Sequence, residues 1–86
     1  MAAYRIELKP SAARQLETLP RDLQRRIARK IDSLAEDPRQ AGSHKLSGSD
    51  GLYRVRVSDY RIVYQIRDAL LLVLVLKIGH RREVYR

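Results

Sequence analysis

The sequence predicts an α+β domain in which a helical hairpin packs on a mainly antiparallel, four-stranded sheet, in the order β-α-α-β-β-β. Residues 4–8 alternate apolar and charged side chains, as a half-buried strand does. Residues 11–36 carry apolar residues at helical spacing, and three strand-like runs follow residue 51. The length of 86 residues fits one small domain, so we expect residues 1–86 to form a single unit.

Proline residues mark the limits of the two predicted helices. Pro10-Ser11 ends the first strand and opens the first helix, and Pro20 separates this helix from the second. Asp37-Pro38 ends the second helix. The second helix has one apolar stripe, with its arginines and lysine mostly off the stripe; the stripe consists of Leu23, Ile27, Ile31 and Leu34.

The C-terminal half predicts a hairpin and a central strand. Residues 39–51 hold three of the four glycines, which predicts a surface loop. Leu52–Val57 and Tyr60–Arg67 alternate on either side of a plausible two-residue turn, Ser58-Asp59. The run from Leu70 to Ile78 is apolar on both faces, which predicts a central strand covered on both sides.

The composition indicates a polyanionic partner. The net charge is +8, and it is uneven: residues 1–50 carry ten Lys/Arg against seven Asp/Glu, and residues 51–86 carry eight against three. The chain contains no cysteine, and its longest apolar run is far shorter than the ~20 residues of a membrane helix. The first residues lack a signal peptide pattern. We therefore expect a soluble, cytoplasmic protein that does not bind membranes.

The predicted hairpin register places arginines opposite one another. With Ser58-Asp59 as the turn, Arg56 faces Arg61, and Arg54 shares their side of the sheet. Like charges directly opposite on a sheet are destabilising, so folding alone does not call for this pair. Either an anion binds between the arginines, or the face is solvated and the long side chains splay apart.

The last seven residues carry further candidate groups. His80 can move protons near neutral pH, Arg81 and Arg82 can bind phosphate, and Tyr85 can stack on a base. A frayed basic tail is the alternative interpretation. His44 is interpreted as a surface residue of the loop, whereas Lys45 beside it could touch RNA.

Three segments give the chain a family resemblance: Gly51-Leu52-Tyr53-Arg54-Val55-Arg56-Val57, residues 59–66 (DYRIVYQI) and residues 78–85 (IGHRREVY). In this order and spacing they resemble the RelE-type toxins of the RelE/ParE superfamily of bacterial toxin–antitoxin systems. The resemblance covers nearly the whole chain. It implies a RelE-like fold and a ribosome-dependent endoribonuclease that cuts mRNA in the ribosomal A site and inhibits translation.

The resemblance also implies the chemistry and the partners. The ribose 2′-OH attacks the adjacent phosphate, and the reaction uses no metal or other cofactor. A cognate antitoxin silences the toxin, and the toxin reaches operator DNA only through the antitoxin complex. By resemblance, Arg61 contacts the scissile phosphate, Arg81 stabilises the transition state and protonates the leaving group, and Tyr85 orients a base. We expect RNA contacts from Arg54, Lys45 and Arg82.

The identity of the general base is open. Arg54 and Arg56 occupy positions where well-known ribosome-dependent relatives have lysines, and an arginine stays protonated in proteins. Arg56 is therefore predicted to stabilise charge in the catalytic site. His80 is the better candidate base, and catalysis by positioning and electrostatics alone is the alternative.

Two other functions compete with the nuclease. A ParE-like toxin of the same fold would inhibit DNA gyrase by binding it, and the third possibility is an inactive, antitoxin-binding or basic nucleic-acid-binding domain. The constellation of His80, Arg81 and Tyr85 favours the nuclease, because a gyrase binder has no evident need for a proton-transfer group beside phosphate ligands.

Overall fold

Two helices lie on one face of a five-stranded sheet in the computed structural model, which describes residues 3–46, 48 and 50–80. The sheet order is β1-β5-β4-β3-β2; β1 pairs with β5 in parallel, and the other pairs are antiparallel. The predicted α+β class and helical hairpin are confirmed. The elements are β1 (Arg5–Leu8), α1 (Pro10–Glu17), α2 (Arg21–Glu36), β2 (His44–Lys45), β3 (Leu52–Val57), β4 (Tyr60–Arg67) and β5 (Leu72–His80).

The sheet has one strand more than the four predicted. The additional strand, β2, lies within residues 39–51, where the sequence predicts only a loop. His44 pairs with Arg54 and Lys45 with Tyr53, and the backbone N–H of Leu46 donates to the carbonyl of Leu52 at 2.9 Å. Two residues are too few to show a period of two, so the pairing with β3 alone defines this strand.

The helical hairpin turns at Pro20, as predicted. Pro20 lies at the N-cap of α2, where its missing N–H costs no helical hydrogen bond. The side-chain amide nitrogen (Nε2) of Gln24 donates to the backbone carbonyls of Glu17 (3.0 Å) and Leu19 (2.7 Å). This side chain therefore supplies hydrogen bonds to carbonyls that the end of α1 leaves without helical partners.

The core lies between the helices and one face of the sheet. The apolar stripe of α2 buries Ile27, Ile31 and Leu34 completely or nearly so. Fully burying one such aliphatic side chain contributes about 1.5–3 kcal/mol, so this interface holds much of the small domain's stability. The sheet contributes Val55, Val57, Ile62, Tyr64, Ile66, Val73, Val75 and Ile78.

Strand β5 is an interior strand of the sheet, and its coverage on both sides stays a prediction. It lies between β1 and β4, and α1 packs on one side of it. On the other side, no helix of the described part of the chain covers β5, and Leu74 and Leu76 are half-buried. The register shifts between Val63 and Tyr64, which pair with Lys77 and Val75, so Leu76 is the extra residue of a β-bulge.

An ionic network ties the segment after α2 to the turn between β4 and β5. The Arg39 guanidinium donates to both Asp68 carboxylate oxygens (3.1 and 2.8 Å) and to the Tyr53 hydroxyl (3.2 Å). The Tyr4 hydroxyl donates to Asp68 at 2.6 Å. The hydrogen bonds from Arg39 and then Tyr4 lower the pKa of Asp68 to about 2.

No helix among residues 3–46, 48 and 50–80 is long and apolar enough to span a membrane.

Substituting Asp68→Asn should lower stability at neutral pH and have no effect near pH 2. The folded-state pKa of Asp68 lies below its ordinary value of 3.8, so its contribution is complete above that value and is lost as pH falls towards 2. Urea unfolding of both proteins between pH 2 and 7 measures this convergence. Glu7→Gln is the matched control because Glu7 forms an isolated, exposed ion pair with Arg5 (3.0 Å), which should contribute little. Equal effects of the two substitutions would contradict the network.

Candidate active site

A cationic pocket of about 160 Å³ opens on the side of the sheet that faces away from the helices. We call it the arginine pocket. It combines side chains of β3 and β4 with the segment that leads into β2. Its lining consists of Gly42, His44, Arg54, Val55, Arg56 and Arg61.

The hairpin register brings the three arginines together. Arg56 pairs with Arg61 and Arg54 with Val63, as predicted, so the three side chains share one face. Ser58 takes up the left-handed conformation (φ 55°) in the turn, and the Arg56 Nε donates to the Ser58 carbonyl at 2.8 Å. Arg56 is exposed, whereas Arg54 and Arg61 are half-buried. Folding thus gathers positive charge at a site where cross-strand repulsion disfavours it.

His44 is the pocket residue that the sequence did not identify. It pairs directly with Arg54, so its imidazole lies on the arginine side of the sheet. Gly42 precedes it with φ +92°, a conformation that favours glycine, and the Ser43 N–H and hydroxyl both donate to the Gln40 carbonyl (3.0 and 2.7 Å). These bonds fix the approach of the chain to β2. The only sequence signal for His44 was its position next to Lys45.

Lys45 lies on the other side of the sheet from the arginine pocket. It pairs with Tyr53, which packs against the core, and successive strand residues point to opposite faces. Lys45 is exposed at the sheet edge. The structure does not bring it together with the arginines, and its contact with RNA stays a prediction.

His80 also lies away from the arginine pocket. It pairs with Tyr60, and their rings meet edge to face with centroids 5.6 Å apart. Both rings line a separate pocket of about 300 Å³ together with Gln15 and Thr18 of the first helix and its C-cap. On the β5 side, the residue that pairs with Arg61 is Gly79, which has no side chain to place beside the arginine. The catalytic role of His80 stays a prediction. Its ring lies beside Tyr60, and it is not among the residues that line the arginine pocket.

The remaining predicted residues, Arg81, Arg82 and Tyr85, lie outside the described residues. Their roles, and the convergence of Arg81 with Arg56 and Arg61, stay predictions. One further cation joins the arginine side of the sheet instead. The bulge at Leu76 shifts the phase of β5, and Lys77 pairs with Val63 in the same cross-strand row as Arg54.

The arginine pocket can bind a phosphate and exchange a proton. Guanidinium groups bind phosphate oxygens through paired N–H donors and stay charged. A neutral imidazole can accept the proton that a hydroxyl group releases when it attacks a phosphate bound there. Among the described residues, no three histidine or acidic side chains cluster as metal ligands would.

Comparison with known sequences identifies the family. Residues 6–85 match the model of the ParE toxin of the type II toxin–antitoxin system parDE. The mRNA interferase toxin RelE of Escherichia coli is 30% identical, with 96% of this chain and 90% of that protein covered. Toxin RelG of Mycobacterium tuberculosis is 29% identical, with 96% and 97% covered.

Solved structures agree with the sequence matches. The isolated E. coli RelE toxin has a TM-score of 0.82 and 30% identity, with 96% of this chain and 92% of that chain covered. The RelE of the archaeal RelE–RelB complex from Pyrococcus horikoshii has a TM-score of 0.81 and 30% identity, with 94% and 97% covered. By family model, sequence and fold, the chain belongs to the RelE/ParE superfamily of type II toxin–antitoxin toxins, as a RelE-type member.

Proposed function

We propose that this toxin is an endoribonuclease that cleaves mRNA in the ribosomal A site and so inhibits translation. The observation that carries the proposal is the arginine pocket, where three arginines and His44 line one cavity. The naming of similar proteins as mRNA interferases supports the same reaction.

The proposed reaction is an internal transfer of the phosphodiester. The 2′-oxygen forms a bond to phosphorus, the bond from phosphorus to the 5′-oxygen of the next nucleotide breaks, and a 2′,3′-cyclic phosphate remains. Arg54, Arg56 and Arg61 bind the phosphate oxygens and stabilise the negative charge that grows on them. One well-placed donor to such charge contributes ~10²–10³-fold to the rate. Guanidinium charge replaces a metal ion in this mechanism.

Proton transfer in this proposal is assigned to His44. The arginines cannot accept a proton from the 2′-OH, because they stay protonated. His44 lines the same pocket as all three arginines, whereas His80 lies on the helix side of the sheet next to Tyr60. We therefore assign the base to His44. As the family resemblance implies, Arg81 stabilises the charge on the departing 5′-oxygen, which takes its proton from water, and Tyr85 orients a base.

We further propose that a cognate antitoxin binds and silences this toxin. The relative from P. horikoshii was solved as a RelE–RelB complex. A net charge of +8 suits an acidic or amphipathic antitoxin segment that covers the basic face and folds as it binds. Operator DNA would be contacted by the complex and not by the toxin alone.

Inhibition of DNA gyrase is the second candidate, since the matching family model describes a ParE toxin. Primer extension on mRNA in a translating extract separates the two. The nuclease produces cuts within codons that require ribosomes. Inhibition of supercoiling with intact mRNA would establish the gyrase binder instead.

His44→Gln should slow cleavage by about 10²–10⁴-fold, the usual contribution of a general base, with ribosome affinity unchanged within about twofold. Single-turnover cleavage on programmed ribosomes measures the rate. His80→Gln is the matched comparison. Slow cleavage by His80→Gln with normal cleavage by His44→Gln would return the base to His80.

Arg61→Ala and Arg81→Ala should each abolish growth inhibition while the protein folds and binds antitoxin. Each removes a guanidinium that the proposed transition state requires. Growth assays, thermal melts and antitoxin pull-down measure the three properties. Arg67→Ala is the control, because Arg67 lies at the other end of β4 and donates to Gln65 (3.0 Å). Growth inhibition retained by both arginine variants would refute the nuclease.

A further inference from the structure

A second cationic groove, of about 470 Å³, runs between α2 and the turn that joins β3 to β4. We call it the helix groove. Three of its cations lie on α2, and the fourth is Arg56 of β3. Its polar lining consists of Arg26, Arg29, Lys30, Ser33, Arg56 and Ser58.

Helix geometry places the three α2 cations side by side. Arg29 and Lys30 follow Arg26 by three and four residues, a spacing that makes side chains neighbours on a helix surface. The apolar stripe of the same helix is buried against the sheet, so the cations flank the sheet at the hairpin turn. Lys30 Nζ donates to the Gln40 amide oxygen at 3.2 Å, which fixes the position of one charge.

Among the residues that the structure describes, no carboxylate lines the helix groove. The two salt bridges found within residues 3–46, 48 and 50–80 are Arg5–Glu7 and Arg39–Asp68, and neither borders the groove. Packing does not require four cations to line one groove. A polyanion bound along it would compensate their mutual repulsion.

Arg56 connects this groove to the arginine pocket, because it lines both. Its guanidinium carries five N–H donors, and the contact with the Ser58 carbonyl uses one of them. Among the described lining residues, Arg56 thus joins the cations of α2 to those of the arginine pocket.

We propose that the helix groove binds the phosphate backbone of the same RNA strand whose scissile linkage lies in the arginine pocket. This inference rests on the proposed nuclease function. Arginines bind successive phosphates through paired N–H donors, and such contacts position a strand without reading its sequence. RNA is favoured over an acidic protein segment because Arg56 lines both the groove and the pocket in which the phosphodiester is proposed to bind.

Affinity for RNAs of different length tests the groove. The probes are fluorescent 2′-O-methyl RNAs, which cannot be cleaved, with either one linkage or eight. The double variant R26Q/R29Q should bind the longer RNA about tenfold or more weakly and keep its affinity for the shorter one within twofold. The salt dependence of its binding should also fall, by about 0.7 in the logarithmic slope for each phosphate that the variant no longer neutralises.

The matched control is the double variant R21Q/R25Q, which removes two charges from the same helix outside the groove lining. It should bind the longer RNA within about twofold of wild type. Equal decreases in affinity for the two double variants would overturn the proposal, as would a wild-type protein that binds both RNAs equally. Weakened antitoxin binding with full RNA affinity in R26Q/R29Q would assign the groove to the antitoxin instead.

The two proposals fail separately in this design. If R61A abolishes cleavage while R26Q/R29Q binds the longer RNA like wild type, the groove assignment is wrong and the nuclease stands. If R61A and H44Q cleave normally, the nuclease is wrong, whatever the groove binds. Thermal melts of all variants exclude unfolding as the cause of weaker binding or slower cleavage.

Discussion

The pairing register of β3 with β4 is the constraint on which both the core and the arginine pocket depend. It places Val55 opposite Ile62 on the helix side and Arg56 opposite Arg61 on the other side. A slip of one residue would expose the first pair and bury the second, so the hydrophobic core itself enforces the clustering of charge. The fold therefore needs no additional interactions to assemble the arginine pocket. The same contacts that stabilise the fold bring the guanidinium groups together.

The facing of Arg56 and Arg61 is unfavourable for stability, and the proposed binding of a phosphate would explain why it is tolerated. Cross-strand like charges cost roughly 0.2–1 kcal/mol, a modest fraction of the stability of a small domain. Gly79, opposite Arg61, leaves the neighbouring strand without a side chain at this point. The Arg39–Asp68 network is the contrasting case, since there the two opposite charges are paired and the role is to hold the chain between α2 and β2. Arg39 thus pairs with an opposite charge where it supports the fold, whereas arginines face one another where a phosphate is proposed to bind.

The sequence predicted the regular parts of this structure and missed the parts that depend on tertiary pairing. The hairpin register could be predicted because alternation extends over both strands and the turn between them is short. His44 could not, because a two-residue strand has no period and only its pairing with Arg54 places it. The sequence does not identify Lys77, because it lies within an apolar run. The bulge at Leu76 changes the side of the sheet to which the following residues point, and so places Lys77 on the arginine side. His80 was grouped with the basic tail by its position in the chain, whereas its pairing with Tyr60 places it on the helix side.

Arg56 belongs to both of the proposed RNA-binding sites. From the exposed edge of the hairpin it borders the arginine pocket on one side and the helix groove on the other. A lysine there could present a single point charge, whereas the planar guanidinium presents several donors in fixed directions and can contact two phosphates. The presence of arginine where well-known relatives have lysine therefore has two consequences for the proposed mechanism. In that mechanism Arg56 cannot serve as the general base, so the base is assigned to His44, and Arg56 can contact the phosphate next to the scissile one.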